Sequence, residues 1–428
     1  MSQSPTSSAR PPQLLVLPGT RDGGNLGDLA MLQIALERLH ARWPDARLRV
    51  LTHVPERLRE QCPLAEPVSL RGADQWLRAK ILPRWLWPAR EAAWRRRQPD
   101  RFYRWWWRKA AMRPARYRAA GEFVQELGRT DGLVVTGCGL LNDAFPRHTL
   151  HALDLMAAVK QRQRPVLLLS QGIGPLENPG LRARAAAVLP QVDKIFIRDE
   201  RTTAPLLAAL GVPPEKFRFT GDDALELAWR ERRSDWGGHV GLNLRRANYS
   251  GLTDAICAAV RRGAHEFAAS HATLLRGVPV AVGGGDSDVR SLAALGLADP
   301  QAAGADVTSP RALARRIGEC RLVVTGSYHA AVFALAQGVP AIGVAVSEYY
   351  RHKFEGLAQH FVPGCTVLWA HEAHFAAQLA AAMNAAWQAG AAWRPALLRE
   401  TERQIRLAHD GYAALTLPEG RPQIGSHD

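Results

Sequence analysis

The feature that most constrains this chain is a rhythm. Short Val/Ile/Leu-rich runs alternate with longer stretches whose apolar residues recur at helical spacing, through most of its 428 residues. From the amino end the strand candidates are LLVLPG (14–19), LRVLTHV (48–54), GLVVTG (132–137), PVLLLSQG (165–172) and KIFIRD (194–199), and FRFTGDD (217–223) adds another. Strands apolar on both faces and separated by helices imply a parallel sheet covered on both sides. The polar segment WRERRSDWGGH (229–239) interrupts the pattern, which then restarts with VGLNLR (240–245), VPVAVGGG (278–285), RLVVTG (321–326), PAIGVAV (340–346) and TVLW (366–369). The expectation is an α/β protein of two domains with parallel sheets, 13–228 and 239–393, joined by a linker at 229–238 and facing each other across a cleft. Two helices are predicted at 371–389 and 394–415, with a last helical segment, 394–416, returning to the first domain. Residues 1–12 read as a polar, proline-rich disordered lead-in without a signal peptide's apolar core, and 417–428 as a loose tail.

One segment breaks the rhythm. Residues 76–118 hold 7 of the 13 tryptophans and 14 Lys/Arg against 2 acidic residues, so most of the formal charge of +15 sits there. It reads as a helical insertion in the first domain. Tryptophan with arginine suits a lipid headgroup region, where rings prefer the interface and cations meet anionic lipid. The same composition can pack a helical hairpin on its domain, or grip single-stranded nucleic acid by stacking and phosphate contacts; nucleic acid is the least favoured of the three. Five scattered cysteines with no C-x-x-C pair fit a reducing compartment. The expected location is cytoplasmic, peripheral on the membrane's inner face if the insertion meets lipid. No metal and no cofactor is expected.

Ligands of open α/β sheets bind beyond the carboxyl ends of the strands. In the first domain those ends carry GGNLGD (23–28), TGCGLLND (136–143), SQGIGP (170–175), RDERTT (198–203) and TGDDA (220–224). Asn25, Gly27 and Asp28 are candidates at the first loop, with Asp28 equally placed to cap a helix from Leu29. Gly137, Gly139, Gly172 and Gly174 either admit a substrate or merely permit tight turns. Asp222 and Asp223 point oppositely in extended chain, Asp286 and Asp288 form a weak D-x-D, and Cys138 lacks an activating partner, so neither a metal site nor a thiol nucleophile is expected. In the second domain VVTGSYHAAVFALAQGVPAIGV is strongest: a strand ends at Thr325–Gly326, a helix starts near Ser327, and Tyr328 and His329 fall in its first turn. Free N–H groups and the helix dipole favour an anion there, and a histidine beside a bound phosphate can donate a proton. Arg245, ending VGLNLR, could fork onto carboxylate or phosphate, with a structural salt bridge as the alternative; Lys353 in SEYYRHKF is a substrate cation or a surface lysine.

Taken in order, GNLGD, GCGLL, SQGIGPL, RDERT, TGDDA, TGSYHAAVFALAQGVPAIGV and YYRHKF resemble the polysaccharide pyruvyl transferase family, over roughly residues 13–360. The resemblance implies a GT-B-like fold of two facing Rossmann-like domains. It implies phosphoenolpyruvate as donor and a sugar diol as acceptor, on a cell-surface glycan or its lipid-linked precursor, joined as a cyclic ketal. The family's essential histidine falls on His329 and its strand-end cation on Arg245. Many members have Arg-Leu-His where this chain has Ser327-Tyr328-His329, so a cation near the donor is missing; Arg198, Arg246 and Lys353 are the candidates to replace it. In that chemistry His329 donates the proton, Arg245 holds the donor, and Asp28 or Asn25 orients the acceptor hydroxyl. The rivals are a nucleotide-sugar glycosyltransferase of the same fold, for which Glu348 and Glu355 are an inexact ribose-binding pair, and a non-catalytic membrane or nucleic-acid binder built on 76–118.

Overall fold

A computed structural model describes residues 10–78, 101, 105, 114–244, 251–283 and 287–417. Most of the Trp/Arg-rich insertion, and Arg245, Arg246 and Asp286, lie outside the described residues. Two wholly parallel sheets organise the chain. The first lobe contains β1 (Gln13–Leu17), β2 (Arg47–Thr52), β3 (Ala65–Ser69), β4 (Gly132–Val135), β5 (Val166–Gln171), β6 (Lys194–Ile197) and β7 (Phe217–Phe219), in the order β3-β2-β1-β4-β5-β6-β7. The second contains β8 (His239–Asn243), β9 (Leu275–Gly277), β10 (Cys320–Thr325), β11 (Ala341–Ala345) and β12 (Cys365–Trp369), in the order β12-β11-β10-β8-β9. Strands β4, β5 and β11 are buried along their whole length, which is why they carry no polar alternation.

Each sheet reverses its winding once. In the first lobe the reversal lies between β1 and β4; in the second, between β8 and β10. A crevice opens at the carboxyl ends of the strands at each reversal. Helix α1 (Leu26–Arg42) leaves β1 at one crevice, and α12 (Tyr328–Ala336) leaves β10 at the other. Numbering the helices in chain order, α2 is Pro55–Gln61, α3 Leu70–Arg78, α4 Pro114–Arg129, α5 Pro146–Lys160, α6 Pro179–Val188, α7 Thr203–Ala209 and α8 Ala224–Arg230. They are followed by α9 (Asp254–Ser270), α10 (Asp288–Ala294), α11 (Pro310–Gly318), α13 (Glu348–Ala358) and α14 (Phe375–Ala413). All nine residues of α12 are buried, because it lies between its own sheet and α8 of the first lobe. A helix apolar on every side needs such a sandwich. One apolar core therefore runs through both lobes, from Leu14 and Leu29 to Val323 and Phe333.

Several expectations are corrected. The two helices predicted at 371–389 and 394–415 are one, α14, which continues through 393–394 with Pro395 inside it. A proline removes one backbone donor and crowds the preceding turn, but a long helix packed at both ends can absorb it. At its start α14 buries Leu379 and Met383; at its end the Tyr412 hydroxyl donates to Asp223 Oδ2 at 2.7 Å. Over 278–283, the described part of the run 278–285, no strand forms: pairing covers only Leu275–Gly277, and Ala281 instead bridges to Asn25 of the other lobe. Strand β3, AEPVS, carries a proline and too few apolar residues to stand out in the sequence. Among the described residues no helix is long and apolar enough to cross a membrane.

The far end of α14 is fastened by a buried ionic cluster. Arg38 of α1 pairs with Asp223 and Glu226, and Tyr412 joins through Asp223. Removing one member of a buried pair leaves an uncompensated charge, so Arg38→Met is expected to lower stability by about 3–5 kcal/mol. Tyr412→Phe, which deletes one hydrogen bond, should cost about 1 kcal/mol. Urea midpoints of the two variants check both.

Candidate active site

The loop after β1 forms the first wall. Asn25 Oδ1 accepts from the N–H groups of Gly27 and Asp28 at 3.0 and 3.2 Å, so Asn25 is the N-cap and α1 starts at Leu26. Asp28 therefore does not cap a helix beginning at Leu29; it sits in the first turn with its carboxylate free of that duty. The same loop is stitched to the second lobe: Leu26 N–H donates to Val280 O, and Val282 N–H to Gly24 O, both at 2.8 Å. The start of α1 is thus held by both lobes at once.

His329 lies where the two crevices meet. Its ring is 6% exposed and rests directly on Gly27, where a Cβ would overlap the imidazole. Nδ1 is 4.0 Å from Asp28 Oδ1; Nε2 is 3.4 Å from Met31 Sδ, 3.5 Å from Arg198 Nη1 and 3.9 Å from Asp222 Oδ2. Nε2 thus faces one donor, the Arg198 guanidinium, and two acceptors, Met31 Sδ and Asp222 Oδ2, while Nδ1 faces Asp28. Burial, then the positive charges of Arg198 and Lys353, hold the imidazole well below the ordinary histidine range. The ring is enclosed between the lobes, not inside one of them.

Around it stand residues from four further strand ends. Arg198, following β6, donates to Asp222 Oδ2 at 2.7 Å and stacks on the Tyr328 ring at 4.4 Å. Asp222 and Asp223 do point oppositely, the first to Arg198 and the second to Arg38. Lys353 of α13 lies over the Tyr349 ring at 4.2 Å and the Tyr328 ring at 5.8 Å. Burial, reinforced by Arg198, pushes its ammonium down to about 7. A Cβ on Gly139 would fall 2.6 Å from Lys353 Nζ, and one on Gly172 3.0 Å from Arg198 Nε, so these glycines are absent side chains that make room for cations. Gly137 makes room for Met31 in the same way, whereas Gly174 packs on Leu206. Ser327 precedes α12, whose first turn receives no side-chain cap. Cys138 is buried, its thiol pushed up to about 12, which suits packing and not nucleophilic attack.

The structure thus gathers Gly27, Asp28, Gly139, Gly172, Tyr328, His329 and Lys353 at one place, with Asn25 as the cap that positions them. Sequence reading left Met31, Asp222 and Tyr349 unassigned. Met31 follows Asp28 by three residues and so shares its helix face, a signal that was available; nothing local marks Asp222 or Tyr349. Glu348 and Glu355 are engaged with Arg351 and Arg201. Asp288 accepts from Asn243 Nδ2 and the N–H groups of Val280 and Ala281, a structural role. Among the described residues no group of His, Cys, Asp and Glu is arranged to hold a metal ion.

Two parallel-sheet lobes with their crevices meeting over one buried histidine define a two-lobed scaffold of the GT-B type. The structure is similar to a putative UDP-N-acetylglucosamine 2-epimerase from Listeria monocytogenes (11% identity, TM-score 0.55, covering 96% of this chain and 100% of that one). It is also similar to UDP-GlcNAc 2-epimerase from Methanocaldococcus jannaschii (13%, 0.53, 92% and 99%) and to HepE from Anabaena in complex with UDP (12%, 0.53, 94% and 98%). No curated protein matches the chain in sequence. The model of the polysaccharide pyruvyl transferase family matches residues 25–348, and the chain belongs to that family. It is a transferase of that kind.

Two outcomes follow from this geometry. An alanine inside a helix normally stabilises over glycine by about 0.5–1 kcal/mol. Gly27→Ala should instead destabilise by about 1–3 kcal/mol through overpacking against the imidazole, and His329→Ala should partly relieve it in a double-mutant cycle read by thermal melts. Second, below about pH 6.5 the unfolded chain binds a proton at this position that the native chain refuses, so stability falls as pH drops through that range. His329→Gln should flatten that slope, by at most about 1.4 kcal/mol per pH unit, in pH-dependent urea titrations.

Proposed function

We propose that the protein transfers the pyruvate unit of phosphoenolpyruvate to a sugar diol, forming a cyclic ketal on a cell-surface polysaccharide or its lipid-linked precursor. The observation that carries this reading is the imidazole of His329, held between Asp28 and Arg198 where the two crevices join. Family membership supports the pyruvyl group as cargo.

The reaction needs a proton on the donor's methylene carbon, a base for the hydroxyl, and positive charge for a carboxylate and a phosphate. In this reading His329 gives a proton to the methylene carbon, making it a methyl group. The oxygen of one sugar hydroxyl bonds to the adjacent carbon C2 as its proton passes to Asp28. The C2–O bond to phosphate breaks, phosphate leaves with its electron pair, and the second hydroxyl closes the ring and gives up its proton. One proton is retained on carbon and one leaves with phosphate as the hydrogen phosphate ion, so the product keeps one carboxylate and the glycan gains negative charge. In this reading Ser327, Gly139 and Gly172 stand beside the donor, Gly137 seats Met31 behind the imidazole, and Asn25 fixes Asp28. Arg245, outside the described residues, is proposed as a further contact to the donor. The cationic, tryptophan-rich segment 76–118 supports a location at the inner membrane face, where a lipid-linked acceptor would be presented.

Incubation of the full chain with phosphoenolpyruvate and a panel of free and lipid-linked glycans tests this. The expected result is stoichiometric phosphate release and a pyruvate ketal on one acceptor by mass spectrometry. His329→Ala should lower kcat by 100-fold or more, a typical order for a lost general acid. Release of a nucleoside diphosphate from a sugar nucleotide, with phosphoenolpyruvate untouched, would overturn it.

A further inference from the structure

Two cations of the site keep N–H groups with no acceptor where they stand. Arg198 is 5% exposed, and its single strong ion pair, to Asp222, engages Nη1. Its other terminal nitrogen, Nη2, is buried with no hydrogen-bond partner. A buried guanidinium N–H left unpaired costs free energy and is a place for an acceptor that the protein itself does not supply. Lys353 Nζ is half-buried, has no ion pair within 4.0 Å among the described residues, and is not hydrogen-bonded there. The ring of Tyr328 lies between the two, facing Arg198 at 4.4 Å and Lys353 at 5.8 Å. The two cations reach these positions because they pack on bare backbone, Lys353 on Gly139 and Arg198 on Gly172.

We propose that Arg198 and Lys353, spaced by the Tyr328 ring, form a two-cation receptor for an oxyanion, and that filling it is what allows His329 to take up a second proton. The proposal rests on the reading of this site as one for an anionic donor, and goes beyond it by saying when the acid becomes an acid. Arg198 Nη1 stands 3.5 Å from His329 Nε2, so a proton arriving on that nitrogen meets a guanidinium. A phosphate or carboxylate drawing Arg198 and Lys353 together both cancels their repulsion and releases Nε2. The groups that face the imidazole are Asp28 from α1, Arg198 after β6, Asp222 after β7, Lys353 from α13, and Tyr328 from its own helix, with Cys138 near both cations. Asp28 and Asp222 are the protein's own carboxylates here, so the charge that changes is the ligand's. Such an arrangement keeps the proton off His329 until a donor is seated, and places the replacement for the missing cation at position 327 on a different strand.

The test uses the full chain and inorganic phosphate as probe. Phosphate binding is measured by calorimetry for the wild type, Arg198→Gln, Lys353→Gln and Lys353→Arg, and the ring nitrogens of His329 are followed by NMR across pH with and without phosphate. Expected are at least tenfold weaker phosphate binding in both glutamine variants, with Lys353→Arg restoring much of it. His329 should protonate at higher pH when phosphate is bound, by one unit or more, and that rise should be lost in Arg198→Gln and Lys353→Gln. Should Arg198→Gln unfold, Lys353→Gln alone decides. Equal phosphate affinity in all four proteins, or binding with no change at His329, would overturn the proposal. Phosphate binding as described without any pyruvyl transfer keeps the receptor and removes the donor assignment; transfer with unchanged KM in both glutamine variants does the reverse.

Discussion

The contact between one imidazole and one bare stretch of backbone organises the molecule. His329 rests on Gly27, and no residue with a Cβ fits there without displacement. That contact sits inside a broader seam in which the 24–26 backbone pairs with 280–282, and in which α12 lies with every residue buried between two lobes. The first turn of α1 therefore belongs to both lobes. Asp28 and Met31, on one face of that helix, meet the ring only because Asn25 starts the helix at Leu26. Moving the start by one residue would rotate both side chains by about 100° away from it.

Hydrogen bonding in the seam is left incomplete. Asp222 answers Arg198, but Lys353 adds a second positive group to an already desolvated region, and both depress the basicity of His329. Burying like charges together is costly unless something of opposite sign joins them. The buried cluster at the far end of α14 shows the contrast: there Arg38 meets Asp223 and Glu226 directly, and Arg230 answers the second carboxylate. One ionic group is complete and ties helices together; the other is incomplete and lies at the meeting of two crevices. That difference separates a structural cluster from a receptive one.

Much of the fold was legible because strands buried on both faces must be continuous apolar runs, and VLLLSQ or RLVVTG have few other uses. The β/α alternation, its interruption near 229–239 and the glycine-rich strand ends follow from that single rule. What escaped was set by tertiary context. Strand β3 is an edge strand containing Pro67, so it lacks the pattern. Helix α14 runs through Pro395 because its two ends are anchored to different lobes. Ala281 pairs across the seam instead of within its own sheet, a partner no local window contains. At the site, His329 was readable from its place in the first turn of a helix after a buried strand. Arg198 was readable only as one of several strand-end cations; its stacking on Tyr328 joins residues 130 positions apart. Asp222 looked interchangeable with Asp223 until the backbone turned one toward each cluster.

The central claim is that this imidazole delivers a proton to the carbon of an enol donor held between the lobes. Running the transfer in deuterium oxide and weighing the product tests it most directly. A proton delivered from a solvent-exchanged ring leaves one deuterium in the methyl group of each ketal, and the account predicts a product one mass unit heavier at that methyl. The same deuterated ketal formed at the wild-type rate by His329→Gln would contradict it.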